Sequence, residues 1–143
     1  MPDPAPAPKP ARRSSPQYID TNILVRVLTG EPAAMTEAAV RLIGEHRPVC
    51  LASAVLLETA FVLQGPYHQG RPVVADALAA AIASPDFIAD EPEVWRAALA
   101  TFAVQPQLHL VDCYMAARAA AEGGVLHTFD QDLARFIGRR PDR

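Results

Sequence analysis

Short apolar runs alternate along the chain with longer stretches in which apolar residues recur every three or four positions. The short runs predict strands at 17–19, 49–52, 87–89 and 125–128. The periodic stretches predict helices over about 23–28, 33–46, 54–64, 71–84, 92–104, 108–121 and 130–137, with Ser53 as the expected N-cap of the third. This alternation predicts a single α/β domain with a largely parallel sheet of short strands flanked by helices.

Proline content separates the ends of the chain from its body. Residues 1–16 contain six of the fourteen prolines and little to bury, so we expect a disordered Pro/Ala-rich arm there. One folded domain is expected over 17–138 and a basic tail over 139–143. The sequence has no run of eighteen apolar residues and no signal-peptide core, so we expect a cytoplasmic protein without a membrane segment.

The charge of the body limits its partners. The net charge is −3, but residues 17–134 carry six arginines against fourteen acidic residues. An acidic surface binds nucleic acid poorly by itself, because phosphate contacts need cations. The acidic residues either solvate the outer faces of helices or include a group that binds a cation, which would then attract phosphate.

Four acidic residues occupy unusual positions. Asp20 and Asp130 each follow a predicted strand and precede a helix, so they share one sheet edge if those two strands are neighbours. Asp112 lies at the start of a helix, and Glu58 lies on an apolar helix face. Local roles are open for each: the three aspartates could cap their helices, and Glu58 could extend its carboxylate to solvent or pair with an arginine such as Arg26. One shared site would explain all four positions, whereas separate local roles would have to arise independently at each.

The order of these residues resembles a known family. The segments are Tyr18-Ile19-Asp20-Thr21-Asn22, Leu56-Leu57-Glu58-Thr59-Ala60, Asp112 before an Ala-rich helix, and Thr128-Phe129-Asp130. They resemble PIN-domain ribonucleases, and most of all the VapC-type toxins of toxin–antitoxin pairs. The resemblance implies a Mg²⁺ or Mn²⁺ site with Asp20 and Asp112 as first ligands. Glu58 and Asp130 would complete it, and Asn22 and Thr128 would orient the carboxylates as outer polar partners.

Electrostatics supports the same assignment. Carboxylates about 4–8 Å apart repel by about 2–4 kcal/mol per pair at an effective dielectric constant near 20, and a hard divalent cation offsets this repulsion. Zinc is not expected, because the group has no Cys or His at the usual spacing. The expected reaction is metal-assisted, in-line hydrolysis of RNA phosphodiesters, with all four acids catalytic and Asp130 orienting or deprotonating the water.

The resemblance also implies partners: a homodimer, and a cognate antitoxin protein that covers the site. The apolar first two helices, around Ile23 and Met35, are the expected shared interface, unless they only fill the core. Two other functions are open. One is a catalytically silent module that binds RNA or protein, and the other is a phosphatase or DNA nuclease that uses the same carboxylates.

Overall fold

A computed structural model describes Met1 and residues 15–138, so residues 2–14 of the expected arm and the expected tail, 139–143, lie outside the described part. The helices are α1 (Thr21–Thr29), α2 (Ala33–His46), α3 (Ser53–Gln64), α4 (Arg71–Ala83), α5 (Pro92–Val104), α6 (Leu110–Ala121) and α7 (Gln131–Phe136). The strands are β1 (Val49–Leu51) and β2 (Phe87–Ala89). Every predicted helix is present, with ends within about two residues of the prediction.

The sheet is small and parallel, as predicted. Cys50 of β1 lies opposite Ile88 of β2 in a parallel register. On the other side of β1, Tyr18 forms a single parallel bridge with Cys50, whose N–H donates to the Gln17 carbonyl at 2.6 Å. The first predicted strand is therefore one bridge long. Because all three segments run in the same direction, the chain leaves them at one common edge, which holds Asp20 and the start of α3.

The fourth predicted strand, 125–128, is wrong: the structure assigns no strand there. Gly123, with φ of 63°, ends α6, and the Gly124 N–H donates back to the Ala119 carbonyl at 2.7 Å. Beyond it Val125 is exposed. The residues favour an extended chain, but a strand also requires pairing in a sheet, which propensity alone does not supply.

The core lies between the sheet and α3, α4, α5 and α6. Its largest fully buried side chains are Trp95 and Phe102 on α5, with Leu56 and Leu63 from α3 and Leu78 from α4. Burial of these side chains fixes the helices as a unit, so the positions of the helix N-termini are set by the core. In the part of the chain that the structure describes, we find no helix with the length and apolar character needed to cross a membrane.

Ser53 differs from its predicted role as a cap. Ala52 precedes α3 and Ser53 is its first helical residue. The Ser53 hydroxyl accepts a hydrogen bond from the Trp95 indole nitrogen, Nε1, at 2.9 Å. The hydroxyl therefore joins the N-terminus of α3 to α5 instead of capping its own helix.

Candidate metal centre

Asp20 lies where the first extended segment passes into α1. Its Oδ1 accepts a hydrogen bond from the Ile23 N–H at 3.1 Å, so the carboxylate caps the helix. The residue is exposed. A carboxylate offers about four lone-pair positions, and the cap uses one. Capping and binding of a cation are therefore compatible at Asp20.

Glu58 reaches the same end of α1 from α3. The Thr21 hydroxyl donates to Glu58 Oε2 at 2.7 Å, across 37 residues of sequence. Since Thr21 follows Asp20 directly, this bond brings the Glu58 carboxylate to the segment that carries Asp20. The expected alternative partner, Arg26, does not pair with Glu58: its guanidinium donates to the Glu31 carbonyl and the Tyr67 hydroxyl, each at 3.0 Å.

Asp112 is in the first turn of α6 and is half-buried. Its Oδ2 accepts a hydrogen bond from the His109 N–H at 3.1 Å, so it binds the residue that precedes the helix instead of acting as the N-cap itself. The connection from α5 is fixed by Arg71. The Arg71 guanidinium lies 3.8 Å from the centre of the Phe102 ring and donates to the carbonyls of Phe102, Gln105 and Leu108.

Two groups near the start of α6 are removed from water, Arg71 in part and Cys113 almost completely. Burial lowers the pKa of Arg71, although three carbonyls accept from it. Burial also raises the pKa of the neighbouring Cys113 thiol to about 11, with the Arg71 charge opposing this rise and the Asp112 charge adding to it. Cys113 is a neutral core residue at physiological pH.

Asp130 precedes α7 and caps it, with Oδ1 accepting from the Leu133 N–H at 2.8 Å. The Thr128 hydroxyl accepts from the Asp130 N–H at 3.0 Å, so it fixes the backbone at this position. Asn22 lines the groove between α1 and α2. The Thr21 hydroxyl contacts one candidate carboxylate, that of Glu58, and the outer-partner roles of Asn22 and Thr128 stay predictions.

The side chains do not form a closed cage. Within the described residues, no three Asp, Glu, His or Cys side chains are grouped closely enough to hold a metal ion. The local caps considered from the sequence are real for Asp20 and Asp130. Over the same residues, none of the four acids pairs with an arginine, whereas Asp86, Glu91, Glu93, Glu122 and Asp132 each do.

A family comparison places these contacts in a known fold. The model of the PIN domain family matches residues 18–138, which is most of the chain. The chain belongs to the PIN domain family. No curated protein and no solved structure matches it. PIN domains are typically metal-dependent nucleases that bind nucleic acids, and the α/β fold with its small parallel sheet agrees with this membership.

The donor chemistry of this PIN domain suits a hard cation. The four candidate side chains offer only carboxylate oxygens, the ligands that Mg²⁺ and Mn²⁺ prefer. In the described part of the chain, the charges of Asp20 and Glu58 have no arginine to offset them. The chemistry of the donors therefore fits the divalent metals that PIN nucleases usually use, while the positions of the side chains are set by local hydrogen bonds.

The sequence analysis assigned no role to two residues near the sheet edge. Thr21 is part of the quoted Asp-Thr-Asn segment but was assigned no role, although it makes the contact to Glu58. Glu91 lies one residue beyond Asp90, which follows β2, and it directly precedes α5, so its position is close to the strand–acid–helix order that singled out Asp20. Applying that criterion to every predicted strand would have identified Asp90 and, next to it, Glu91.

Proposed function

We propose that this PIN domain is a divalent-metal-dependent endoribonuclease of the VapC type, the toxin of a type II toxin–antitoxin pair. The observation that carries the proposal is the set of acids at the N-termini of α1 and α6 and in the middle of α3 of a PIN fold, without arginine partners among the described residues. A divalent cation is the natural counter-charge for such a set, and it would attract a phosphodiester to an otherwise acidic surface.

Each of the four acids has its own role in the proposed reaction. Bound Mg²⁺ or Mn²⁺ supplies a Lewis acid for the scissile phosphate and lowers the pKa of water. Asp20 and Asp112 hold the cation, and Glu58, fixed by the Thr21 hydroxyl, completes the negative charge. Asp130 accepts the proton of the attacking water and orients it. Hydrolysis then needs no covalent enzyme intermediate.

Substrate class is tested by parallel assays of the full chain. Single-stranded RNA, DNA of the same sequence and a small phosphate monoester are each incubated with Mg²⁺, with Mn²⁺ and with chelator. We expect cleavage of RNA alone, abolished by chelator. Cleavage of DNA or the monoester would favour the nuclease or phosphatase alternatives, and metal-independent binding of RNA without cleavage would favour the silent module.

An interface for the second copy or the antitoxin is proposed on α1 and α2. Leu24 and Ala39 are buried in the core, as expected if the two helices only fill the core. However, Met35 is 50% exposed and Leu42 is 37% exposed, and both line an apolar groove of about 220 Å³ between the two helices. Because these exposed apolar side chains are not needed to fill the core, they support a protein interface on this surface.

The interface is tested by placing charge on it. We expect Met35→Glu together with Leu42→Glu to lower the mass measured by sedimentation, or to prevent a co-expressed antitoxin from relieving growth arrest. Val73→Glu is the matched control, because Val73 is similarly exposed on α4. Normal assembly and normal neutralisation in the double variant would exclude this surface as the interface.

A further inference from the structure

Glu91 joins the carboxyl end of β2 to α5 and has an unusual backbone. Its φ and ψ are 50° and 54°, in the left-handed region that non-glycine residues rarely adopt. Such a conformation persists where surrounding contacts hold it. Here the contacts are made by the carboxylate: Oε2 accepts a hydrogen bond from the Tyr114 hydroxyl, and Oε1 lies 3.4 Å from Arg118 Nε.

The contacts of Glu91 continue through three helices. The Tyr114 ring of α6 stacks on the Trp95 ring of α5, with centroids 4.6 Å apart and planes at 19°. Trp95 is fully buried and donates from Nε1 to the Ser53 hydroxyl at the start of α3. Arg118 also donates to the Tyr114 hydroxyl, at 3.2 Å. These five residues, called the Glu91 network below, connect the end of β2 to α6, α5 and α3.

The network meets the helices that carry two candidate site acids. Asp112 lies two residues before Tyr114 on α6, and Glu58 lies five residues after Ser53 on α3. Arg71 fixes the chain just before α6 by donating to the Leu108 carbonyl. The first turns of α6 are therefore held at both ends, by Arg71 before Asp112 and by Glu91 after it.

We propose that Glu91 is a positioning residue of the nuclease: through Tyr114 it fixes α6 against the sheet edge and so sets where Asp112 stands. This proposal rests on the proposed function. Glu91 itself touches no substrate in it. Its carboxylate is already committed to Tyr114 and Arg118, so its effect on the site passes through the helix.

The test uses Glu91→Gln and Tyr114→Phe, which preserve shape while removing a charge or a hydroxyl. Glu93→Gln is the matched control, because Glu93 is an exposed neighbour that pairs only with Arg96. We expect each network variant to raise the Mg²⁺ concentration for half-maximal RNA cleavage by about tenfold. The double variant should be no worse than the poorer single variant, because the two groups form one contact. An unchanged Mg²⁺ requirement in folded variants would overturn the proposal.

Hydrogen exchange gives a readout that does not depend on activity. The amides of Asp112 and Cys113 both donate to the His109 carbonyl, at 3.0 and 3.1 Å, and they report the first turn of α6. We expect them to exchange about tenfold faster in Glu91→Gln than in Glu93→Gln, below the unfolding transition. Faster exchange in the network variants of a protein whose wild type cleaves no RNA would support the positioning role and reject the proposed function. Normal exchange in the network variants of an active nuclease would reject the positioning role alone.

Trp95 offers a third measurement, since it is the only tryptophan in the chain. Its emission reports the stacked Tyr114 directly. We expect Mg²⁺ without RNA to change the emission of the wild type, and the midpoint to move about tenfold higher in Tyr114→Phe. Equal midpoints in the two proteins would contradict a path from the network to the metal site.

Discussion

The N-termini of α1 and α6 carry site acids in contrasting surroundings. At α1, Asp20 and Glu58 are exposed and are held by two hydrogen bonds, one from the Ile23 amide and one from the Thr21 hydroxyl. At α6, Asp112 is half-buried and its helix is fixed by the guanidinium of Arg71 and the carboxylate of Glu91. The exposed side chains at the start of α1 are free to rearrange, whereas contacts with Arg71 and Glu91 hold the backbone at the start of α6 in place.

This difference indicates how the site can be acidic and still belong to a stable fold. Exposed carboxylates repel weakly because water screens them, so the α1 end tolerates its charge. The α6 end places a half-buried charge next to the core, where the partly buried hydrogen bonds of Arg71 and Glu91 fix the helix. We infer that the α1 end adapts to the cation and the α6 end supplies a fixed reference for it.

Asp20→Asn is expected to have the largest effect on activity. It removes the charge of a proposed ligand while keeping an N-cap, since asparagine caps helices as well as aspartate does. We predict a loss of metal-dependent RNA cleavage of at least about 100-fold, with an unchanged circular dichroism spectrum. Glu37→Gln, an exposed acid on α2, is the control. Cleavage at the wild-type rate by Asp20→Asn would remove Asp20 from the mechanism.

Arg71→Ala tests the rigidity of the α6 end. It deletes charged hydrogen bonds to three carbonyls and the contact with the Phe102 ring. We predict a loss of about 2–4 kcal/mol in the free energy of unfolding, measured with denaturant. Arg71→Lys should lie between, because an ammonium cannot replace the planar fork. Arg41→Ala, at an exposed site on α2, should change stability by less than about 0.5 kcal/mol. If Arg41→Ala and Arg71→Ala lose the same stability, Arg71 has no special role in holding α6.

Thr21→Val tests the single bond that joins α1 to Glu58. The change keeps the side-chain shape but removes the hydroxyl that donates at 2.7 Å. We predict that the Mg²⁺ concentration for half-maximal cleavage rises about tenfold, and that Thr21→Ser restores it. If valine and serine behave alike, Glu58 is placed without Thr21.

The smallest effect is expected at Cys113. Because burial raises its folded-state pKa to about 11, the unfolded chain releases the proton first as pH rises above the ordinary thiol range. We predict that the stability of the wild type falls between about pH 9 and pH 11 relative to that of Cys113→Ala, and that the difference between the two proteins is constant below pH 8. Parallel stability curves for the two proteins would show that the thiol is not desolvated.

The helices could be predicted from sequence because their apolar periodicity is set by the same core that holds them. The ends of α2 at 33 and 46 were predicted to the residue. The last strand could not be, since residues 125–128 have strand propensity but are assigned to no strand in the described part of the chain. Ser53 was misassigned for a similar reason: its partner, Trp95, is distant in sequence.

The sequence allowed us to predict which acids are candidates for the site, but not which groups they contact. Asp20 and Asp130 stood out because each follows an apolar run and precedes a helix. The bond from Thr21 to Glu58 spans 37 residues and depends on how α1 packs against α3. Glu91 also lies between a strand and a helix, one residue beyond Asp90, but its contacts are with Tyr114 and Arg118 on another helix, which sequence position does not indicate.

Anomalous scattering from Mn²⁺ in crystals of the full chain tests the central claim most directly. We predict a manganese peak with carboxylate oxygens of Asp20 and Asp112 at about 2 Å, and with Glu58 and Asp130 around it. Manganese bound elsewhere, with Asp20 and Asp130 still only capping α1 and α7 at saturating metal, would contradict the account.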